Sequence, residues 1–303
     1  MAFFIDYMLS HYKPNIDSDN FILAVSGGVD SVVLLDILSK MNYGFVVAHY
    51  DHGIRKDSDQ DRLFVEKIAN KYGKAFFYAE GNLGSEASEE LARNKRYEFF
   101  KDIQNKTGAN LIVTAHHQDD EIETAIINII RGTSRLGLSS IANNQYLARP
   151  LVNYPKAELI EYAKNNNLQW VEDATNSDPH YLRNKVRLQI IPKMPENERR
   201  VFLEHIKKSK DYNKKIEPLL INLSNRVQHK GKPVISRQKF ILLDDTIARE
   251  LVHHLLRTFR YKNYDKKNID RIVIGIKTLK AGKVIEVPGG KIILTKRSAR
   301  FYL

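Results

Sequence analysis

Four times between residues 21 and 131, a short apolar run gives way to a longer stretch with helical periodicity. Phe21–Val25 precedes Ser31–Met41, and Phe45–His49 precedes Asp59–Tyr72. Ala75–Tyr78 precedes Glu86–Thr107, and Leu111–Ala115 precedes Asp119–Arg131. Strands joined through helices of this length pair in parallel, because a parallel crossover needs a dozen or more residues. The predicted fold is α/β, a parallel sheet with helices on both faces. In such sheets ligands lie beyond the carboxyl ends of the strands. Three chemically loaded segments fall there: Ser26–Ser31, His49–Arg55 and His116–Glu123.

The first of these, Ser26-Gly27-Gly28-Val29-Asp30-Ser31, directly follows a strand. Gly27 and Gly28 have no Cβ, so their N–H groups can approach a ligand closely. Ser26 and Ser31 add hydroxyls, and a helix beginning at Asp30 or Ser31 adds unpaired N–H groups and a partial positive charge. The combination suits phosphate. It is not the usual P-loop, which carries a lysine; here an aspartate stands where an anion would be repelled. A divalent cation between Asp30 and a triphosphate resolves the conflict, so Asp30 is the first metal-ligand candidate. The plainer alternative is a glycine turn with Asp30 as an N-cap.

The segment His116-His117-Gln118-Asp119-Asp120-Glu121-Ile122-Glu123 concentrates imidazoles and carboxylates after the fourth strand. On a helix beginning near Gln118, Asp119 and Glu123 are i, i+4 neighbours and Asp120 and Glu123 are i, i+3 neighbours. Such carboxylates repel unless a cation joins them, either Mg²⁺ with ATP or a positively charged substrate. A His–Asp metallohydrolase would leave the glycine cradle unexplained. An acidic helix start favoured by the dipole is the bland alternative. The second segment, His49 to Arg55, is placed to face the adenosine of a nucleotide, although His49 and His52 taken singly fit structural roles better. Arg93 and Arg96, with Tyr97, suit phosphate contacts and base stacking. So do Arg183 and Arg187, in the polar stretch Trp170–Arg187.

Bulk properties narrow the classes further. At 303 residues the chain is long enough for about two domains. No run approaches the ~20 apolar residues of a membrane span, and the start lacks the features of a secretory leader. Cysteine is absent. That fits a reducing, cytoplasmic setting and excludes thiolate nucleophiles, persulfide carriers, iron–sulfur clusters and cysteine zinc sites. The net charge of +12 lies entirely in the last 88 residues, while the preceding 215 balance to zero. Such asymmetry points to a polyanionic partner. Helical sequence is predicted from Glu196 to about Lys215, and a boundary in the polar stretch at 212–217. The expected division is a catalytic domain over 1–215 and a smaller basic α+β domain over 216–303. Within the latter, helices are expected at His253–Phe259 and Asn268–Ile274, and a hairpin at Val284–Val287, Pro288-Gly289-Gly290 and Lys291–Thr295.

Taken in order, SGGVDS, HYDHGIR, ELARNKRY, AHHQDDEIETAIINIIRGT, RPLVNYPKAELIEYA and WVEDATNSDPHYLRNKVR resemble the bacterial tRNA(Ile)-lysidine synthetases. These belong to the N-type ATP pyrophosphatases, the PP-loop superfamily with an adenine nucleotide alpha hydrolase-like fold. The likeness spans roughly residues 20–192; the basic C-terminal part resembles the family's tRNA-binding domain through weaker motifs. One departure is Asp51, where many members carry Asn. The resemblance implies that ATP adenylates O2 of the wobble cytidine of the CAU-anticodon isoleucine tRNA. Free L-lysine then displaces AMP to give lysidine, changing codon reading from AUG to AUA. It further implies phosphate binding by Ser26, Gly27, Gly28, Val29, Asp30 and Ser31, with His49 on the nucleoside side. Asp30 and Asp120 would bind Mg²⁺, and Asp120 and Glu123 would serve lysine and its activation. His116, Arg93 and Arg187 would stabilise the adenylated cytidine. A cytoplasmic enzyme, a homodimer and no membrane association complete the expectation. The alternatives are tRNA thiolation, for which the chain lacks the usual cysteines, small-molecule amidation on the same ATP fold, and a non-enzymatic ATP-gated RNA-binding module.

Overall fold

The alternation resolves into a five-stranded, all-parallel sheet of order β3-β2-β1-β4-β5. The computed structural model describes residues 1–10, 20–51, 53, 58–81, 84, 89–132, 135–139, 141, 145–172, 182–229 and 232–303. In chain order these form α1 (Ala2–Ser10), β1 (Asn20–Ala24), α2 (Val29–Lys40), β2 (Gly44–Asp51), α3 (Ser58–Lys71), β3 (Phe76–Glu80), α4 (Glu89–Thr107), β4 (Ile112–Val113) and α5 (Gln118–Ile130). There follow α6 (Arg135–Leu138), β5 (Leu147–Ala148), α7 (Lys156–Asn165), α8 (Leu182–Lys185), α9 (Glu196–Val227), β6 (Val234–Ser236), α10 (Arg237–Ile241), α11 (Asp245–Thr258), α12 (Lys266–Thr278), β7 (Val284–Val287), β8 (Gly290–Leu294) and β9 (Ser298–Tyr302).

Successive side chains of β1 point to opposite faces of the sheet. Phe21, Leu23 and Val25 pack with Val33 and Leu34 of α2, Val65 of α3 and Leu159 of α7. Ile22, with Ala24 against the same layer, packs with Phe100 and Ile103 of α4. Helices therefore cover both faces, as the buried apolar runs require. From β1 the chain steps to β2 on one side, while β4 pairs on the other. The crevice at that reversal is the place where a parallel sheet opens to a ligand. The loops leaving β1 and β4 are the ones that carry SGGVDS and HHQDDE.

The chain divides into two compact units, Met1–Thr124 with Ile141–Pro195, and Ala125–Ser140 with Glu196–Leu303. The second unit holds an antiparallel sheet of order β6-β9-β8-β7. Leu251, Val252 and Leu255 of α11 and Ile272 and Ile276 of α12 pack with Ile285, Ile292 and Phe301 of that sheet. The expected hairpin is β7–β8, in antiparallel register from Val284↔Ile293 to Val287↔Gly290. A Cβ on Gly290 would lie 2.1 Å from the Tyr302 carbonyl oxygen, which explains glycine there. Helix α11 starts earlier than its apolar pattern suggests, because Asp244 caps it by accepting from the Thr246 N–H at 2.8 Å.

Helix α9 does not stop near Lys215. It runs through Pro218 to Val227, so position 215/216 lies inside a helix. Pro218 forfeits a backbone hydrogen bond. Beyond it Leu220, Ser224 and Val227 are buried at helical spacing, and that burial offsets the loss.

Candidate active site

The glycine loop keeps its shape through its own serines. Ser31 Oγ donates to the Gly28 carbonyl at 2.9 Å and accepts from the Gly27 N–H at 3.2 Å, while Ser26 Oγ accepts from the Gly28 N–H at 3.3 Å. Gly27 has φ +96°, in the left-handed region, and a Cβ there would lie 3.3 Å from Val65 Cγ2. Helix α2 begins at Val29 rather than at Asp30 or Ser31. Gly28 is its N-cap and offers no side-chain cap bond. Asp30 therefore lies inside the first turn and is not the cap. The N–H groups of that turn keep the anion-binding character of an uncapped helix start.

Helix α5 starts through a reciprocal cap that fixes an imidazole. The Asp119 N–H donates to His117 Nδ1 at 3.2 Å, and the His117 N–H donates to Asp120 Oδ2 at 3.0 Å. With Nδ1 accepting, the proton of the neutral ring sits on Nε2. Nε2 lies 3.5 Å from Asp30 Oδ2 and 3.5 Å from Asp120 Oδ2. The fold thus brings the first turns of α2 and α5 onto one imidazole. Burial raises the Asp30 carboxyl, but hydrogen bonding and charge from His117, with Lys156, more than offset this and leave its pKa below the usual value. Burial lowers His117, and the two aspartates outweigh that and raise it.

Glu123, one turn further along α5, is 2% exposed. Arg183 Nε lies 2.8 Å from its Oε1, Arg187 Nε donates to its Oε2 at 3.0 Å, and Arg187 Nη2 donates to Asp120 Oδ1 at 3.1 Å. Arg187 therefore bridges the two carboxylates. Burial still raises the Glu123 pKa in spite of the two guanidinium groups. Arg183 and Arg187 lie on an α turn over Leu182–Lys185 and a π turn over Val186–Ile190, followed by a 3₁₀ turn over Ile191–Lys193. The wider π turn carries Arg187, a geometry that recurs at functional sites.

The other expected residues take different places. His116 Nδ1 is 2.8 Å from Thr114 Oγ1, and burial lowers its pKa to about 4, so it is neutral near pH 7. His49 is buried, with Nδ1 2.8 Å from the Val25 carbonyl oxygen and its ring stacked on Tyr78. Burial keeps it neutral, and it braces the strand end just before the loop. Arg93 is exposed and stacks on Tyr97 at 5.4 Å. Arg96, not Arg93, is the cation of α4 that lowers His116 electrostatically. His52, Arg55 and residues 173–181 lie outside the described residues.

Two contributors have no individual role assigned to them by the sequence. His117, rather than His116, joins the carboxylates; the signal was its place three residues before Asp120, the spacing of a reciprocal cap. Lys156 Nζ lies 2.8 Å from Asp30 Oδ2. The one hint was Pro155, which marks Lys156 as the first residue of a helix.

Magnesium is tested by the donor set. Among the described residues no group of three or more His, Asp or Glu has metal-binding geometry. Mg²⁺ commonly takes one or two carboxylates and completes its shell with phosphates and water. Asp30 Oδ1 is buried with no hydrogen-bond partner among the described residues, and Asp120 reaches the same imidazole. The residues fit such an ion.

Residues 4–194 match the model of the PP-loop domain family. The chain belongs to that family. Among curated relatives of this PP-loop protein, the tRNA(Ile)-lysidine synthase of Thermotoga maritima is 38% identical over 191 residues, covering 59% of this chain and 46% of the relative. The tRNA(Ile)-lysidine synthase of Clostridioides difficile is 31% identical over 306 residues, covering 93% of this chain and 66% of the relative. The chain spans under half the length of the first of these. The U34-tRNA thiolase NcsA of Methanococcus maripaludis, solved with its [4Fe-4S] cluster, shares the fold. Its TM-score is 0.53 at 15% identity, covering 69% of this chain and 79% of that one.

Proposed function

We propose that this PP-loop protein is a tRNA(Ile)-lysidine synthase. It uses ATP to join free L-lysine to C2 of the wobble cytidine in the CAU-anticodon isoleucine tRNA. The observation that carries the reading is the meeting of Asp30, from the glycine loop, with Asp120 on one imidazole, Asp120 being joined through Arg187 to Glu123. That meeting supports a phosphate cradle beside carboxylates suited to a cationic substrate. The relatives named above support it.

The residues divide the work. Ser26, Gly27, Gly28, Val29 and Ser31 present N–H and hydroxyl groups to the ATP phosphates. Asp30 and Asp120 would hold Mg²⁺, which would supply charge neutralisation for the departing pyrophosphate. Cytidine O2 attacks the α-phosphorus and pyrophosphate leaves. The lysine ε-amine then attacks C2, and AMP departs with O2. The ammonium must first lose a proton, and Glu123, whose pKa burial raises, is the better base of the pair. Arg187 and Arg183 hold Glu123 until the ammonium arrives. Neutral His116 contributes hydrogen bonding rather than charge near the adenylated cytidine. The basic last 88 residues bind the tRNA phosphates.

A thiolase reading would follow the fold of the structural relative, but a chain without cysteine has no thiolate for a cluster or a persulfide. The test is incorporation of labelled lysine into a CAU tRNA transcript with ATP and Mg²⁺. Incorporation that disappears when the wobble cytidine is replaced by uridine is expected. ATP hydrolysis without lysine transfer would reject the assignment.

A further inference from the structure

Three side-chain hydrogen bonds from α2 to α7 and its C-cap repeat one offset. Lys156 Nζ donates to Asp30 Oδ2, Tyr162 Oη donates to Asp36 Oδ2 and Lys40 Nζ donates to Asn166 Oδ1, each at 2.8 Å. Each pair is 126 residues apart in sequence. Two helices keep a constant offset over ten residues only if they run side by side in the same direction. Their amino ends therefore lie together. Neither end has a side-chain cap: Gly28 precedes one and Pro155 the other. Two such starts favour an anion between or beside them. The glycine loop lacks the lysine that a Walker loop carries, and the first residue of α7 is a lysine.

We infer that Lys156 supplies the phosphate-binding ammonium missing from the glycine loop, an inference that rests on the ATP-using reading above. In the structure the ammonium lies on Asp30 Oδ2 at 2.8 Å. When ATP and its metal engage Asp30, the lysine changes partner and takes the phosphate oxygens. Its side chain is 39% exposed, and an ion pair of that exposure holds little. The rungs at Tyr162 and Lys40 keep α7 in place while the flexible stem moves. The same exchange lets Asp30 meet a cation without ever standing unpaired.

The test is calorimetric titration of the full chain with ATP and, separately, with adenosine, both with Mg²⁺. Lys156→Ala should weaken ATP binding about tenfold or more, the scale of one charge-assisted hydrogen bond. Adenosine binding should stay within about twofold. Lys156→Arg should recover most of the ATP affinity. Unchanged ATP affinity in the alanine variant would overturn the inference. So would parallel loss of ATP and adenosine binding, which would make Lys156 a brace for α7. If the alanine variant does not fold, Lys156→Gln is read by the same criteria. Wild-type protein that binds no ATP would fail the underlying reading. Wild-type protein that binds ATP, with the variants unaffected, would remove only the lysine.

Discussion

Asp30 is placed in the first turn of a helix whose start would otherwise welcome an anion, and the surrounding groups hold it ionised. Asp30→Asn keeps the volume and removes the charge. Pyrophosphate release in the presence of tRNA and ATP should fall below detection, while tRNA binding measured by filter retention stays near wild type. Turnover close to wild type in that variant would take Asp30 out of the metal role. Gly27 makes a second demand. Its φ of +96° strains any L side chain, and a Cβ 3.3 Å from Val65 Cγ2 would make that methyl give by a few tenths of an ångström. Gly27→Ala should destabilise the protein by about 1–2 kcal/mol in urea unfolding and weaken ATP binding more than adenosine binding. At this scale the sequence was partly legible. Asp30, Asp120 and Glu123 lie in one cluster, and Arg187, expected on phosphate, pairs with Asp120 and Glu123. Choosing His117 over His116, or Arg96 over Arg93, needed the turn of each backbone, because adjacent residues of one type carry the same local signal.

The pairing of α2 with α7 shows what an element contributes beyond its residues. Asp36 is buried and accepts from Tyr72 Oη at 2.6 Å and Tyr162 Oη at 2.8 Å, with Lys40 Nζ 2.8 Å away. It ties α2 to α3 and α7 together. Burial raises its pKa, and bonds from Lys40, Tyr72 and Tyr162 outweigh that and lower it. A carboxyl depressed in the folded state stabilises above its unfolded value, about 3.9, and loses that contribution as pH falls through the folded value. Asp36→Asn should therefore cost about 2 kcal/mol at pH 7. The gap to wild type should close as the pH drops below about 4. A gap that persists at acid pH would show that the hydroxyl geometry, not the charge, matters. The long strands and helices of the first unit were readable from periodicity, because each buries one face against a sheet. Strands β4 and β5 are only two residues long, and β4 was legible through the longer apolar run Leu111–Ala115 that contains it. The α2–α7 register is tertiary, and nothing local announces residues 126 positions apart. The boundary expected at 212–217 falls inside α9, because burial of Leu220, Ser224 and Val227 carries the helix past Pro218.

Across the whole molecule, charge and chemistry are separated along the chain. Asp30, Asp120 and Glu123, the carboxylates of the proposed site, lie in the first unit, and the excess of +12 lies in the last 88 residues. If those residues hold tRNA by its backbone, neutralising four of their lysines and arginines should weaken tRNA binding at low salt. The slope of log affinity against log salt should become shallower by about three to four. An unchanged slope would contradict the electrostatic role. Among the described residues no helix is long and apolar enough to cross a membrane. The claim on which the rest depends is that the Ser26–Ser31 loop cradles a nucleotide's phosphates beside Asp30 and Asp120. A crystal structure with a non-hydrolysable ATP analogue and Mg²⁺ tests it most directly. The expected density has phosphate oxygens against the N–H groups of Gly27 to Asp30 and a metal ion touching Asp30 and Asp120. Nucleotide bound elsewhere, with that loop empty, would contradict the account.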